Sequence, residues 1–210
     1  MATEKQTIAV LGASNIGGTL GRKWVAAGHR VFFGVNDPNG KNAQSLRSDL
    51  GDKAVIGSVA DALSNNPDVV ELALPGTVVD EIISTYAKQL DGRIIIDSTN
   101  RMGSSTMNSF ETLHKQTPNA QTFRAFNTYG AVNFANPQFP QGTASLFYCG
   151  PNGDARTKVE QLITDIGPEP VYIGGVDQVN VVDGVAQLWL ALAFGQKRGP
   201  NFAFKILTRE

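Results

Sequence analysis

The 210-residue chain has one cysteine, Cys149, and two histidines, His29 and His114. A single thiol cannot close an internal disulfide, which excludes a small secreted scaffold stapled by bridges. With so few histidines and cysteines the chain offers no metal-ligand cluster. Charge of one sign is missing too: 18 Lys and Arg face 19 Asp and Glu, for a formal net charge of −1. A nucleic-acid binder would show a basic surplus. No apolar run approaches the roughly 18 residues of a membrane span, and residues 1–7 are polar, without the apolar stretch of a signal peptide. The expectation is a cytoplasmic protein without a membrane or nucleic-acid partner. Apolar residues make up 41% of the chain, enough for a core and too many for disorder.

What the chain does contain is an alternation of short apolar runs and helix-like stretches. Thr7 to Leu11, Val31 to Phe33, Val55-Ile56, Val69 to Leu74 and Ile94 to Ile96 read as strands. Ile16 to Ala27, Asn42 to Leu50 and a short stretch from Val59 to Leu63 read as the helices between them. Val78, Ile82, Ile83, Tyr86 and Leu90 fall on one face of a further helix, with Thr77 to Asp80 resembling its capping box. Beyond it, Ser104 to Lys115 reads as helix, Thr122 to Phe126 as strand and Asn127 to Gln141 as a structured loop. Ser145 to Cys149 (strand), Ala155 to Ile166 (amphipathic helix), Pro170 to Ile173 (strand) and the apolar helix Val181 to Phe194 complete the chain. Such alternation predicts an α/β, Rossmann-type doubly wound fold: a mainly parallel sheet covered by helices on both faces, with a small C-terminal helical part. Residues 1–150 would form the main domain and 151–210 a strand-helix extension.

The turn after the first strand reads Gly12-Ala13-Ser14-Asn15-Ile16-Gly17. This is the G-x-G-x-x-G spacing of a dinucleotide-binding turn with Ser14 at the second glycine, and it lies inside the first βαβ unit, where that turn belongs. Gly12 permits the tight turn and Gly17 the close approach of helix to sheet. Free amides at the helix start would face a pyrophosphate. The second strand then selects the dinucleotide. An NAD site usually holds the ribose 2′-hydroxyl with an acid at this strand's end, where this chain has Val35. Asn36 and Lys41 could instead donate to a 2′-phosphate, and nothing acidic there would repel it, which favours NADP(H). Two residues on, Asp37 would restore the acid, but within Asn36-Asp37-Pro38, which reads as a turn. Lys41 is alternatively a solvated helix-start residue.

The nicotinamide end should be bracketed by three strand ends: Leu74-Pro75-Gly76, Asp97 to Asn100, and Ala125 to Gly130. Singly, Pro75 or Asn100 could do no more than shape a turn; three such ends together read as a site. Acid–base groups are scarce there. Both histidines lie away from strand ends, and Cys149 reads as a buried small hydrophobe. Hydride transfer between two planar cofactors needs alignment and exclusion of water rather than a strong general acid.

These residues resemble the F420-dependent NADP oxidoreductase family, NADPH-dependent reductases of the deazaflavin coenzyme F420. The resemblance rests on Ile8 to Gly17, Leu74-Pro75, Ala125 to Gly130 with Phe134 to Pro137, Tyr148 to Gly150, Leu188-Trp189 and Gly199-Pro200 through Leu207. It implies a Rossmann domain whose small C-terminal part closes the substrate cleft. NADP(H) would lie across Gly12, Ala13, Ser14, Asn15, Ile16 and Gly17, its 2′-phosphate near Ser14, Val35, Asn36 and Lys41. The nicotinamide would rest on Leu74, Pro75, Asn100, Met102, Asn127 and Ala131, and a homodimer would form through the C-terminal helices. The chain departs from the family at Val35-Asn36, often Ser-Arg, and at Arg101, often Pro.

The function expected is an NADP(H)-dependent oxidoreductase passing hydride between nicotinamide and coenzyme F420 or another flavin-type small-molecule acceptor. Asn127 and Thr128 would orient the nicotinamide edge, and Tyr129 or Phe134 would border the second ring. No residue is assigned as catalytic acid or base, and no metal. Two other readings are an NADPH-dependent reductase of a small carbonyl or imine, with water or Tyr129 supplying the proton, and a non-catalytic NADP(H)-binding sensor or interaction module.

Overall fold

The computed structural model describes residues 4–209; the first three positions of the polar start lie outside the described residues. One eight-stranded sheet organises the chain. Its first half is β1 (Thr7–Leu11), α1 (Asn15–Ala26), β2 (Arg30–Gly34), α2 (Lys41–Leu50), β3 (Ala54–Gly57) and α3 (Val59–Ser64). β4 (Val69–Leu72), α4 (Val79–Thr85), α5 (Ala87–Leu90), β5 (Ile94–Asp97), α6 (Phe110–Gln116) and β6 (Gln121–Arg124) follow. The remainder is α7 (Ala131–Ala135), a hairpin of β7 (Gln138–Phe139) and β8 (Gly142–Thr143), β9 (Ser145–Cys149), α8 (Asp154–Ile166), β10 (Glu169–Gly174) and α9 (Val179–Leu190).

The strand order is β10-β9-β6-β5-β4-β1-β2-β3. All neighbours are parallel except β6 and β9, which run antiparallel at Arg124 and Cys149. The central strands β1, β2, β4 and β5 are buried on both faces, and period-two alternation sorts their side chains. Ile8, Val10, Val31 and Phe33 face α1, α2 and α8; Ala9, Leu11, Phe32 and Val70 face the α3 to α6 side. The residue-150 boundary falls between β9 and α8, and β10 pairs with β9, so a single sheet spans both expected parts. α8 is also tied to α1: Trp24 Nε1 donates to the Leu162 carbonyl (3.0 Å), and His29 Nε2 meets Asp165 Oδ2 at 2.7 Å. Gln6 N donates to His29 Nδ1, so the Nε2 proton is the one directed at Asp165.

Three local expectations are corrected. The proposed capping box at Thr77 to Asp80 does not form: α4 has no side-chain cap, and Asp80 instead takes both Nη groups of Arg101 (2.5 and 2.7 Å) and the Thr112 hydroxyl. A capping box does close α3, between Ser58 and Asp61. The helix expected from 104 to 115 shrinks to Phe110–Gln116 because Asp97 holds the preceding segment as a loop. Its carboxylate accepts from Thr99 N, Thr99 Oγ1 and Ser109 N, bonds that compete with helical ones. Finally, the long helix through Leu90 breaks at Tyr86 into α4 and α5.

Candidate functional site

β1 pairs β2 on one side and β4 on the other, so the chain reverses its direction of winding at β1. A doubly wound sheet opens its ligand crevice at such a reversal, beyond the carboxyl ends of the strands. A cleft of about 710 Å³ lies there. Its walls are Gly12 to Ser14 after β1, Gly34 to Asp37 after β2, Gly40 to Ala43 at the start of α2, and Ala73 to Pro75 after β4.

The glycine turn is built for close approach. Gly12 has φ +107°, a backbone that side chains resist, and a Cβ there would overlap the Ala73 carbonyl. A Cβ on Gly17 would overlap the Gly12 carbonyl and come within 2.9 Å of Ala73 Cβ, so α1 rests directly on the turn. The first helical amide bond runs from Gly18 N to Ser14 O (2.8 Å). The amides of Asn15, Ile16 and Gly17 therefore precede any intrahelical acceptor. No side chain caps α1. A cradle with no room for a Cβ and an uncapped amide end fits a diphosphate.

α2 repeats the device. Its N-cap is Gly40, no side chain caps it, and its first turn holds no acid. It opens on Lys41, a cation at the positive end of a helix dipole, an unfavourable place unless an anion sits there. The acid-free corner expected from the sequence is corrected: Asp37 lines the same wall. Pro38 ends the strand direction, and Asp37 Oδ1 accepts from Asn39 N (2.9 Å), a local turn that brings the carboxylate back to the cleft.

Of the residues anticipated for the cofactor, the cleft wall gathers Gly12, Ala13, Ser14, Val35, Asn36, Lys41, Leu74 and Pro75. Asn15, Ile16 and Gly17 open α1 behind it. Asn100, Met102, Asn127, Thr128, Tyr129, Ala131 and Phe134 lie beyond that wall, along the ends of β5 and β6. Met102 is 69% exposed. Tyr129 and Phe134 are not ring-bordering surfaces here: both are buried, their rings 4.5 Å apart, with Phe126 packed on Phe134. Burial also pushes the Tyr129 phenol well above its ordinary pKa. Val78, Ile82 and Tyr86, read with Ile83 and Leu90 as one helix face, line the cleft; Ile82 and Tyr86 also pack against the core that Val79, Ile83 and Leu90 enter.

Sequence reasoning missed the buried charge network behind the β5 and β6 ends. Arg124, fully buried, donates through Nε to Asp183 Oδ1 of α9 (2.7 Å) and through Nη1 to the carbonyls of Asp97 and Thr99 (2.9 and 2.6 Å). Nη2 reaches Asn100 Oδ1 (3.2 Å). Asp183 also accepts from Asn108 Nδ2 (2.7 Å) and Asn127 Nδ2 (3.1 Å). Both ends of this network are distant in sequence, and no local pattern marks it. Next to it, Glu71 of β4 is buried and its carboxyl is pushed well above the usual range by desolvation. Ser98 Oγ lies against both Glu71 Oε1 and the Leu72 carbonyl. One hydroxyl proton cannot serve both acceptors, so a protonated Glu71 supplies the second. Cys149 is buried beside the same network and pushed up to about 12 by desolvation, which suits a packing role.

A doubly wound sheet with a glycine cradle at its reversal point defines a Rossmann-like α/β fold, and the family model that matches its first half and several solved structures that superpose on it are of oxidoreductases. Residues 7–101, from β1 to just past β5, match the family model described as NADP oxidoreductase, coenzyme F420-dependent, which bears out the resemblance carried by the sequence motifs. A protein from Arthrobacter sp. FB24, provisionally described as an F420-dependent NADP reductase, superposes with a TM-score of 0.83 at 23% identity, over 97% of this chain and 100% of that one. A hypothetical protein from Sinorhizobium meliloti gives 0.68 at 27% identity, over 81% and 86%. An imine reductase from Pseudomonas sp. gives 0.69 at 17% identity; the match covers 92% of this chain but 63% of that longer enzyme. Among the described residues no helix is long and apolar enough to cross a membrane.

Proposed function

We propose that this protein is an NADP(H)-dependent oxidoreductase that passes hydride between the nicotinamide and a deazaflavin such as coenzyme F420, or a flavin. The observation that carries the reading is the pairing of two uncapped helix N-termini, α1 and α2, on one cleft, the second of them bearing Lys41. One would hold the diphosphate and the other the 2′-phosphate, with Lys41 and both helix dipoles acting together against the carboxylate of Asp37. Bound NADPH would supply the hydride. The protein's own task is then alignment: Leu74 and Pro75 support one ring face, and the amide side chains at the β5 and β6 ends orient its edge.

The descriptions of the matching family and of the Arthrobacter protein both name NADP and coenzyme F420, which supports this reading. A homodimer through the exposed apolar residues Val181, Leu188 and Phe194 of α9 and its extension belongs to the same reading, as does a cytoplasmic location, in keeping with the single unpaired thiol. The test is an acceptor screen on purified protein, following loss of NADPH absorbance with coenzyme F420, FMN and FAD. Turnover with any of these supports the proposal. Turnover confined to cyclic imines or small ketones would replace it with carbonyl or imine reduction, and tight NADPH binding without turnover would replace it with a sensor.

A further inference from the structure

We infer that the corner between β2 and α2 takes NAD(H) as well as NADP(H), with Asp37 receiving the ribose 2′-hydroxyl of the one and Lys41 the 2′-phosphate of the other. Both residues are exposed and line the same wall of the cleft. They carry opposite charges yet form no ion pair with each other, and Lys41 has no other partner among the described residues. The Asp37 carboxylate is only half used. Oδ1 accepts from Asn39 N at 2.9 Å, and the Asp37 carbonyl accepts from Gly40 N at 3.0 Å, so the turn is closed on side chain and main chain alike. Oδ2 accepts no hydrogen bond among the described residues. It lies 3.1 Å from where a Cβ on Gly40 would stand, so the carboxylate is folded against the N-cap of α2, next to the residue that bears the ammonium.

A ribose 2′-hydroxyl can donate, and a carboxylate oxygen only accepts. A phosphate accepts, and an ammonium only donates. The corner holds one receptor of each kind, with formal charges that cancel. Asn36, on the same wall, can donate or accept and so suits either group. A site for NADP(H) alone has no use for the free Oδ2, and a site for NAD(H) alone has none for Lys41. The dual use rests on the proposed oxidoreductase function and widens its cofactor. The two dinucleotides differ only at this corner, so the hydride chemistry is the same with either.

The test is calorimetric binding of NAD⁺, NADP⁺ and the NAD⁺ analogue deoxygenated at the 2′ position of the adenosine ribose. The wild type should bind NAD⁺ and NADP⁺ within about tenfold of each other, since each gains one charge-assisted contact at the corner. It should bind the deoxy analogue about tenfold more weakly than NAD⁺. Asp37→Ala should bind NAD⁺ and the deoxy analogue alike. Asp37→Asn keeps an oxygen for Asn39 N, and with it the turn, but puts an NH₂ in place of the free acceptor; it should move the preference about tenfold or more toward NADP⁺. Thermal melting checks that both variants fold. A wild type that binds NADP⁺ more than about a hundredfold more tightly than NAD⁺ would overturn the inference. Equal wild-type affinity for NAD⁺ and the deoxy analogue would do the same, as would full discrimination between them in Asp37→Ala. NADP⁺ binding without NAD⁺ binding removes this inference and leaves the proposed function standing, whereas a wild type that binds none of the three removes both.

Discussion

Gly12→Ala puts the cradle to the strictest test. At φ +107° an alanine is forced into backbone conformations that cost about 1–3 kcal/mol. Its Cβ would overlap the Ala73 carbonyl oxygen and come within 3.0 Å of that carbonyl's carbon. Ala73 cannot simply retreat, because its N–H is bonded to the Leu11 carbonyl at 2.9 Å in the β1–β4 ladder. Overpacking of this kind adds about 1–3 kcal/mol. Together the cost is about 2–6 kcal/mol, and at roughly 2–4 °C per kcal/mol for a chain of this size the melting temperature should fall by about 4–24 °C. Binding should suffer as well, since the amides that would grip the diphosphate move with the turn. The assay is thermal unfolding followed by NADPH titration at a temperature where the variant remains folded. A variant that melts with the wild type and binds NADPH equally well would refute the claim that this turn is sterically closed to a Cβ and serves the cofactor.

Other outcomes follow from the same structure. Lys41→Ala should weaken NADPH roughly tenfold in equilibrium titrations and leave NADH nearly unchanged, the loss of one charge-assisted contact. Asp37→Asn should shift the preference toward NADPH by removing the opposing carboxylate from that wall. Glu71→Gln should flatten the pH dependence of stability: the folded protein holds the Glu71 proton above the unfolded group's pKa, so the wild type loses stability as pH rises past the ordinary glutamate value. Urea midpoints measured from about pH 5 to about pH 8 should therefore diverge in the variant's favour. Phe134→Ala should cost about 3–5 kcal/mol in a chemical denaturation series, as expected of a core ring rather than a substrate contact.

The sheet was legible because buried parallel strands write themselves as continuous apolar runs, and every strand read from the pattern between Thr7 and Ile96 is present. The glycine turn was legible for a local reason: its spacing is fixed by the turn itself. Legibility ended where distant polar groups decide the structure. Asp97 dissolves the first turns of the helix expected from Ser104, and only its position opposite Ser109 in the fold reveals why. Asp80 looked like a cap because its partner, Arg101, is 21 residues away. Helical spacing placed Val78, Ile82 and Tyr86 with Ile83 and Leu90, yet an apolar cleft wall and an apolar core carry the same pattern. The Arg124–Asp183 pair, 59 residues apart, left no trace in periodicity or motif.

The central claim is that the amides opening α1 grip a dinucleotide's diphosphate. A crystal structure of the protein with NADPH tests it most directly. The account predicts the diphosphate over the backbone N–H groups of Ala13 to Gly17, with the 2′-phosphate at the start of α2 beside Lys41. NADPH seated elsewhere, or a cleft at β1 and β4 that excludes it at saturating concentration, would contradict it.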